Sequence, residues 1–344
     1  MLPGEYRIYG CDPSYYTRMV EAAMRYMRVP HQALQKSPDV RDRLEARAGT
    51  HLMPVVETPE GWVIHDSTYI TQLLDMRFPG QSVIPRSPVQ RILCRVLDDW
   101  IDEWFVRAAL HLRWIDYAAA HEAAQMISHD MAGAPKGRSP NAEEQAMVDA
   151  VAGMVLPWGR KAMGVMAAGA EHQAAIRGEF ARFIKALEAH FAQMPALFGD
   201  RLSLADLSLL GAMKAHFATD SLARDFVASH APGLLNWTDA SWDRQCGDET
   251  WLSDDAIPAS LEPLFALMRE GYGHFLPANR KAVQADEKWV VFTAYDQEVR
   301  MLARKGAEQS RQALLAEIAA MTPSDGDAAR QALSDRGLLT AYED

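Results

Sequence analysis

The sequence is poor in three features that would each indicate a particular class of protein. It has only three cysteines in 344 residues, Cys11, Cys94 and Cys246, too few and too widely spaced for a disulfide framework or a thiolate metal site. It has no apolar run close to the roughly 18 residues of a membrane-spanning helix, and no long apolar segment of the kind found in signal peptides. We therefore expect a cytoplasmic protein without membrane contact.

Positive charge is also scarce. The 35 lysines and arginines face 46 aspartates and glutamates, which gives a formal net charge of −11. Nonspecific binding to nucleic acid requires a basic face, so nucleic acid is not an expected partner. The 11 histidines form no cluster with metal-ligand spacing, and no metal is expected. With 49% hydrophobic residues, the chain has enough apolar material for a sizeable core and two or more domains.

The first 80 residues alternate between strand-like and helical patterns. Residues 5–9 (EYRIY) and 31–35 (HQALQ) have the length of short strands, and residues 14–30 carry an apolar stripe at helical spacing. Residues 51–79 contain two strand-like runs around a Pro-Glu-Gly turn, followed by an amphipathic helix that starts near Asp66 and Ser67. The order β-α-β-α-β-β-α predicts a small α/β domain over residues 1–80.

The rest of the chain is predominantly helical. The Pro/Gly/Ser-rich segment 79–88 indicates a linker, and we predict an all-helical domain over residues 88–238. Ser203 and Asp206 have the spacing of a capping box. Residues 239–344 form an extension of unknown role. In it the patterns predict a helix that ends at Pro277, a strand or hairpin arm within 287–295, and a charged helix over 296–320.

Three stretches, in this order, resemble the cytosolic glutathione transferases. Residues 14–30 (SYYTRMVEAAMRYMRVP) are similar to the opening helix of bacterial members, which commonly begins Ser-Pro-Tyr. MPVVE and HDSTYITQLLDMRFP, within residues 51–79, are similar to the family's x-Pro-x-Leu/Val strand and Glu/Asp-Ser-x-x-Ile helix start. GDRLSLADLSLLGAM is similar to its capping-box helix. The resemblance covers residues 5 to about 237. It implies an α/β thioredoxin-like domain followed by an all-α bundle, with a homodimer as the common assembly.

The resemblance also implies that glutathione is the co-substrate and that Pro54, Val55, Asp66 and Ser67 bind it. A cis-proline at position 54 would leave the N–H and C=O of Val55 free to pair with an extended peptide. The helix that starts at Ser67 would offer its N–H groups to the γ-glutamyl carboxylate, and Asp66 would take the ammonium. The alternatives are a trans proline in an edge strand and ordinary N-capping.

Ser14 falls where the family has its catalytic serine or cysteine. A hydroxyl at a helix N-terminus can donate to a thiolate while the helix dipole favours the anion; the alternative is a simple N-cap. Tyr15 stands where the bacterial motif has proline, and its hydroxyl is a second candidate donor, although such residues also pack in cores. Cys11, three residues upstream of Ser14, is a candidate nucleophile.

The predicted second substrate is a small hydrophobic electrophile. Trp100, Trp104, Arg107 and His111, on a long helix predicted over residues 89–118, are candidates to line its pocket between the domains, although a tryptophan stripe also suits a core or a dimer interface. The implied function is transfer or exchange of glutathione on this electrophile. The alternatives are a binding or structural module with weak or no turnover, and a thiol–disulfide reductase that uses Cys11.

Overall fold

The computed structural model describes residues 4–343, and residues 6–77 form a mixed α/β layer. Its elements are β1 (Tyr6–Gly10), α1 (Tyr15–Tyr26), β2 (His31–Gln35), α2 (Pro38–Ala48), β3 (Val55–Glu57), β4 (Val63–His65) and α3 (Ser67–Arg77). The order of strands and helices confirms the prediction made from the sequence. Ser14 is the N-cap of α1, and Asp66 is the N-cap of α3.

The four strands form one sheet in the order β2-β1-β3-β4. β1 and β2 are parallel, whereas β3 is antiparallel to both β1 and β4. Tyr9 of β1 lies opposite Val55 of β3, and Val55 lies opposite His65 of β4. The end of β1, the start of β3 and the end of β4 therefore meet at one edge of the sheet. The segments 11–14, 53–54 and 66–67, which follow or precede these strands directly, lie together at that edge.

The helices of the middle region follow the Pro/Gly/Ser-rich segment. They are α4 (Pro88–Glu103), α5 (Val106–Trp114), α6 (Tyr117–Met131), α7 (Ala142–Val165), α8 (Gln173–Phe191), α9 (Leu204–Ala212), α10 (Ser221–His230) and α11 (Pro232–Trp242). The capping box of Ser203 and Asp206 opens α9 as predicted. Gly211 of α9 allows close contact with α1, because a Cβ there would lie 2.6 Å from the backbone nitrogen of Met19.

The prediction of a single helix over residues 89–118 is wrong, because α4 ends just before Trp104 and α5 begins just after Phe105. Both of these neighbouring side chains are buried. Adjacent residues on a continuous helix point in different directions, so the break lets both of them enter the core. Phe105 stacks on Phe183 with 3.8 Å between ring centroids, and Trp104 donates to Glu179.

The C-terminal extension is folded throughout the described range. Its elements are α12 (Glu262–Glu270), α13 (Tyr272–Gln284), β5 (Trp289–Ala294), β6 (Gln297–Leu302), α14 (Lys305–Ala319), α15 (Pro323–Asp335) and α16 (Leu339–Tyr342). The predicted helix end at Pro277 is wrong, since α13 contains this proline and continues to Gln284. Pro277 removes one intrahelical hydrogen bond, and the burial of Phe275, Leu276 and Ala282 on the same helix outweighs that loss.

The helix predicted over residues 296–320 is also wrong in its first part. Residues 297–302 form β6, which pairs with β5, and only α14 (Lys305–Ala319) is helical. Tyr295 and Asp296 have φ angles of 52° and 56°, as a two-residue hairpin turn requires. Val299 and Met301 are buried and alternate with exposed residues, which is the period of a strand rather than a helix.

One hydrophobic cluster joins all three regions of the chain. It includes Tyr6 and Ile8 of the sheet, Trp100 of α4, and Tyr272 and Tyr342 of the extension. The extension is thus part of the common core, and the three-part division at residues 80, 88 and 238 stays a prediction. No helix in the described part of the chain is both long and apolar enough to cross a membrane.

Candidate functional site

Ser14 lies at the N-terminus of α1, at the edge of the sheet where the strand ends meet. Its Oγ accepts a hydrogen bond of 3.3 Å from the N–H of Thr17, so the side chain caps the helix. The hydroxyl proton remains available to a second group, because a serine hydroxyl can accept and donate at the same time. Ser14 is partly exposed. Its predicted role towards a thiolate stays a prediction.

A buried ion pair holds the loop in front of Ser14. The guanidinium of Arg113, on α5, donates to the carbonyl of Pro13 at 2.8 Å and forms two hydrogen bonds with the carboxylate of Asp220. Burial would raise the pKa of Asp220, but Arg113 outweighs it and keeps the pKa below its usual value. The sequence offered no sign of this anchor, since its parts lie about a hundred residues apart.

Pro54 lies directly before β3, and the Met53–Pro54 peptide bond is cis. The prediction that the N–H and C=O of Val55 are free to pair with a ligand is wrong. β3 is an inner strand, and Val55 lies between Tyr9 and His65 of its two neighbours. Met53, just outside the strand, is the residue with free backbone groups: nothing within residues 4–343 forms a hydrogen bond with its N–H or C=O.

Asp66 and Ser67 begin α3 at the same edge. The Asp66 carboxylate accepts hydrogen bonds from the N–H groups of Thr68 and Tyr69 at 3.0 and 3.3 Å. The backbone of Asp66 has a φ of 74°, which an L-residue rarely adopts. Ser67 is mostly buried, and its hydroxyl has no hydrogen-bond partner among the residues described. Among residues 4–343, the free donors at the start of α3 are thus the side chain and the N–H of Ser67.

Tyr15 points away from this edge. Its hydroxyl donates to the carbonyl of Ile101 on α4 at 2.8 Å, and the residue is almost fully buried. Burial raises the pKa of Tyr15 well above its ordinary value, with a further contribution from the charge of Asp102. The neighbouring Tyr16 donates to the carbonyl of Asp102 at 3.3 Å. The two tyrosines thus pack α1 against α4. This is the alternative to a role as thiolate donor that the sequence left open for Tyr15.

Cys11 lies at the same end of the sheet but in a buried position. Its thiol donates to the sulfur of Met53 at 3.3 Å. Burial raises the pKa of the Cys11 thiol to about 12, and the charge of Asp130 adds to this. A reactive cysteine needs the opposite, a thiol pKa lowered towards neutrality by nearby positive charge. The geometry gives no support to Cys11 as a nucleophile.

The four residues predicted for the second-substrate pocket lie in the interior of the helical region. Trp100 and His111 are fully buried, and Trp104 and Arg107 are 1% and 4% exposed. Arg107 lies over the Trp104 ring and donates to the carbonyls of Met166 and Ala167, while His111 Nδ1 lies 2.9 Å from the carbonyl of Ala168. The structure brings the four together as a packed core, so the lining of an open pocket has no support from their positions.

An open cleft lies beside the Ser14 loop instead. It has a volume of about 680 Å³ between the loop, the end of α6 and the segment that leads into α7. Apolar side chains that include Pro13, Met126 and Val148 line it, together with His129 and Lys136. Lys136 bonds Asp12 at 2.7 Å, which ties the segment to the loop. Nothing in the sequence placed this segment near Ser14.

Taken together, these elements form a thioredoxin-like sheet domain followed by a helical domain, with two helix N-termini at one sheet edge. Residues 8–82 match the family profile described as "Glutathione S-transferase, N-terminal domain". This match shows that residues 8–82 are similar to the N-terminal domain of glutathione S-transferases.

Similarity to other proteins is distant. The comparison with curated proteins gave no match. Among solved structures, the chain is similar to a glutathione S-transferase from Rhodospirillum rubrum F11, with 18% identity over 74% of this chain and 96% of that chain and a TM-score of 0.44. It is also similar to the beta-etherase LigF from Sphingobium sp. strain SYK-6, with 19% identity over 68% of this chain and 93% of that chain and a TM-score of 0.43. A third similar structure is a glutathione S-transferase from Methylobacterium radiotolerans, solved in complex with glutathione sulfonate. It has 21% identity over 72% of this chain and 98% of that chain, with a TM-score of 0.41.

Proposed function

We propose that this protein is a glutathione-dependent transferase that acts on a small electrophile. The observation that carries the proposal is the convergence of Ser14, Met53 and Ser67 at one edge of the sheet, each with polar groups available to a ligand. A hydroxyl, a free backbone N–H and C=O, and a helix N-terminus match the thiol, the peptide and the carboxylate of glutathione in turn.

Glutathione would lie across this edge in an extended conformation. Its cysteinyl backbone pairs with Met53, which takes the role predicted for Val55, while Pro54 fixes the direction of the chain. Its γ-glutamyl carboxylate is bound by the hydroxyl and the N–H of Ser67 at the start of α3, where the helix dipole favours an anion. Asp66 is close enough to contribute to the raised pKa of Asp102 on α4. Because burial is the main cause of that raised pKa, Asp102 favours its neutral form, and the Asp66 carboxylate is the group that would take the ammonium.

Ser14 would donate its hydroxyl proton to the glutathione sulfur and stabilise the thiolate. The thiol proton is released to solvent, the sulfur forms a bond to the electrophilic carbon, and the leaving group departs with its bonding electrons. The cleft beside the Ser14 loop would hold the electrophile against Pro13 and Met126. A homodimer in the cytoplasm is part of the same proposal.

The test compares glutathione binding with turnover of 1-chloro-2,4-dinitrobenzene, a generic aryl halide. Ser14→Ala should lower kcat/KM about 100-fold, the effect of removing one donor to a developing anion, and should shift the acid limb of the pH–rate profile, where the thiol ionises, to higher pH. The Kd for glutathione should remain within about threefold. Ser87→Ala is the matched control, because Ser87 is the N-cap of α4 and lies outside the proposed contacts.

Two other results would change the assignment. If Tyr15→Phe abolishes turnover while Ser14→Ala leaves the rate and the pH profile unchanged, Ser14 is not the donor. If glutathione binds but a broad panel of electrophiles is not turned over, the chain is a binding module that retains the fold. The capping bond between Ser14 and Thr17 favours this second candidate, since it gives the serine a structural role without catalysis. A reductase that uses Cys11 lacks support because that thiol is buried and protonated.

A further inference from the structure

The helix α7 has two faces of different character. Its inner face, which includes Val155, packs against Trp114 of α5 and the alanines of α6. Its outer face carries Met147 and Met154, which are 55% and 66% exposed. Trp158, beside this outer face, is 61% exposed. Residues 4–343 leave these side chains mostly uncovered, and large apolar side chains exposed together on one helix indicate a contact surface for another molecule.

The outward residues of α7 recur with the spacing of a seam between two helices. Positions 143, 147, 150, 154, 157 and 161 are separated by alternating steps of four and three residues, and all six are exposed. This spacing averages about 3.5 residues and corresponds to the a and d positions of a coiled coil, which form one line along a helix. We call this line the α7 seam; it consists of Glu143, Met147, Ala150, Met154, Pro157 and Lys161.

The seam carries opposite charges at its two ends. Glu143 lies at the start of the helix and Lys161 near its end, about 27 Å apart at 1.5 Å per residue. Within residues 4–343, neither side chain forms an ion pair or a hydrogen bond. The four seam residues between them are apolar. The seam is therefore negative at one end, apolar in the middle and positive at the other end.

A second copy of the chain matches this charge pattern when its α7 runs in the opposite direction. A twofold axis at position 152, the middle of the seam, places Glu143 opposite the partner's Lys161. The axis repeats the contact, so that Lys161 lies opposite the partner's Glu143. A parallel pair would instead bring like charges together at both ends, which is unfavourable. Charge complementarity therefore favours a second copy in the antiparallel direction.

The apolar part of the seam fits the same axis. Met147 lies opposite the partner's Pro157, and Ala150 lies opposite the partner's Met154, so that a small side chain faces a large one at the centre. Helices that pack along seams of this spacing cross at about 20°. At that angle, helix ends about 13 Å from the axis move apart by only about 5 Å, which the charged side chains at the ends can span.

We infer that the α7 seam is the contact between two copies of this chain, which pack antiparallel about a twofold axis. The inference rests on the homodimer that is part of the proposed function, and it assigns a surface to that homodimer. It does not depend on glutathione. The inner side of α7 contributes Val148 to the cleft beside the Ser14 loop, so the contact and the proposed substrate cleft lie on different sides of the helix.

Sedimentation equilibrium of the full-length protein across a concentration series tests the inference. We expect a dimer for the wild type. Met154→Glu places a charge in the apolar centre of the seam, twice in each dimer, and should raise the dimer Kd at least about tenfold. Because Met154 is exposed in the single chain, the circular dichroism spectrum should not change. Met76→Glu is the matched control, because Met76 is 72% exposed on α3 and lies outside the seam; it should dimerise as the wild type does.

Charge reversal tests the antiparallel direction. Glu143→Lys and Lys161→Glu each replace both ion pairs of the dimer by like-charge contacts, and each should raise the dimer Kd at least about threefold. A parallel contact has like charges at both ends already in the wild type and would show no such loss. In an equimolar mixture of the two variants, a mixed dimer has opposite charges at both ends. The mixture should therefore dimerise about as well as the wild type.

The outcomes decide the inference separately from the transferase function, because turnover of the aryl halide is measured independently. A wild type that remains a monomer overturns the inference together with the homodimer. A dimer that Met76→Glu weakens and Met154→Glu does not has its contact elsewhere, which overturns the inference and leaves the homodimer in place. A mixture of the charge variants that associates no more than either variant alone overturns the antiparallel seam.

Discussion

Polar groups are arranged in opposite ways at the sheet edge and at the contact between α4 and the extension. At the edge, the backbone of Met53 and the hydroxyl of Ser67 have no hydrogen-bond partner within residues 4–343. At the contact, the carboxylates of Asp99 and Glu103 are withdrawn from solvent and bound by Tyr272 and Arg304 of the extension.

This difference distinguishes polar groups that can bind a ligand from polar groups that hold the fold together. Free backbone groups beside helix N-termini keep their capacity to form hydrogen bonds, which a ligand can use. The carboxylates of Asp99 and Glu103 on α4 are instead bound by residues of the extension, and their charges are costly to bury. Unusual pKa values alone would therefore have indicated the wrong region, because burial raises those of Asp98, Asp99 and Asp102 on α4.

The largest expected effect concerns the support beneath the sheet edge. Arg113→Met removes the partner of the buried Asp220 and the donor to the Pro13 carbonyl. Breaking one side of a buried ion pair destabilises a protein by about 3–5 kcal/mol, so urea unfolding should show a loss of that size. Arg138→Met is the control, because the ion pair of Arg138 with Glu144 lies in solvent, and it should change little. A loss below about 1 kcal/mol for Arg113→Met would show that the Ser14 loop does not depend on this anchor.

A smaller effect is expected at Asp66, where capping and backbone conformation can be separated. Asp66→Ala removes two capping bonds and places alanine at a φ of 74°. Together these should cost about 2 kcal/mol in the free energy of unfolding. Asp66→Gly removes the same bonds but accepts the φ, so it should cost only a few tenths. Equal losses in the two variants would mean that the backbone at this position carries no strain.

The sequence contained enough information for the sheet domain but not for the site within it. The order of strands and helices followed from local periodicity, and the caps at Ser14 and Asp66 from residue type. Strand pairing is a property of the whole sheet, which is why Val55 was expected on an open edge and lies in an inner strand. The free backbone belongs to the preceding residue, Met53.

The helical region shows the same limit. Periodicity predicted one helix that carries Trp100, Trp104 and His111, where the structure has α4 and α5, and it cannot tell a ligand-lining face from a face that packs on α8. The cleft beside Ser14 depends on Lys136 meeting Asp12 across more than a hundred residues. Contacts of this kind have no local signature, and one sequence without homologues does not reveal them.

The α4 side of the comparison is tested through the pH dependence of stability. Burial, and next to it the charge of Glu103, raise the pKa of Asp99 to about 7. In the unfolded chain this carboxyl releases its proton near pH 4, so the folded state binds the extra proton between these values. The contribution of Asp99 to stability therefore falls as pH rises from about 4 to about 7 and is constant above.

Asp99→Asn keeps an acceptor for Tyr272 without the charge. It should be more stable than the wild type by about 4 kcal/mol at pH 8, the equivalent of three pKa units, and nearly equal at pH 4, as measured by urea unfolding at each pH. A variant less stable than the wild type at pH 8 would show that the ionised carboxylate strengthens the contact with the extension, and the two regions would then differ less than their burial indicates.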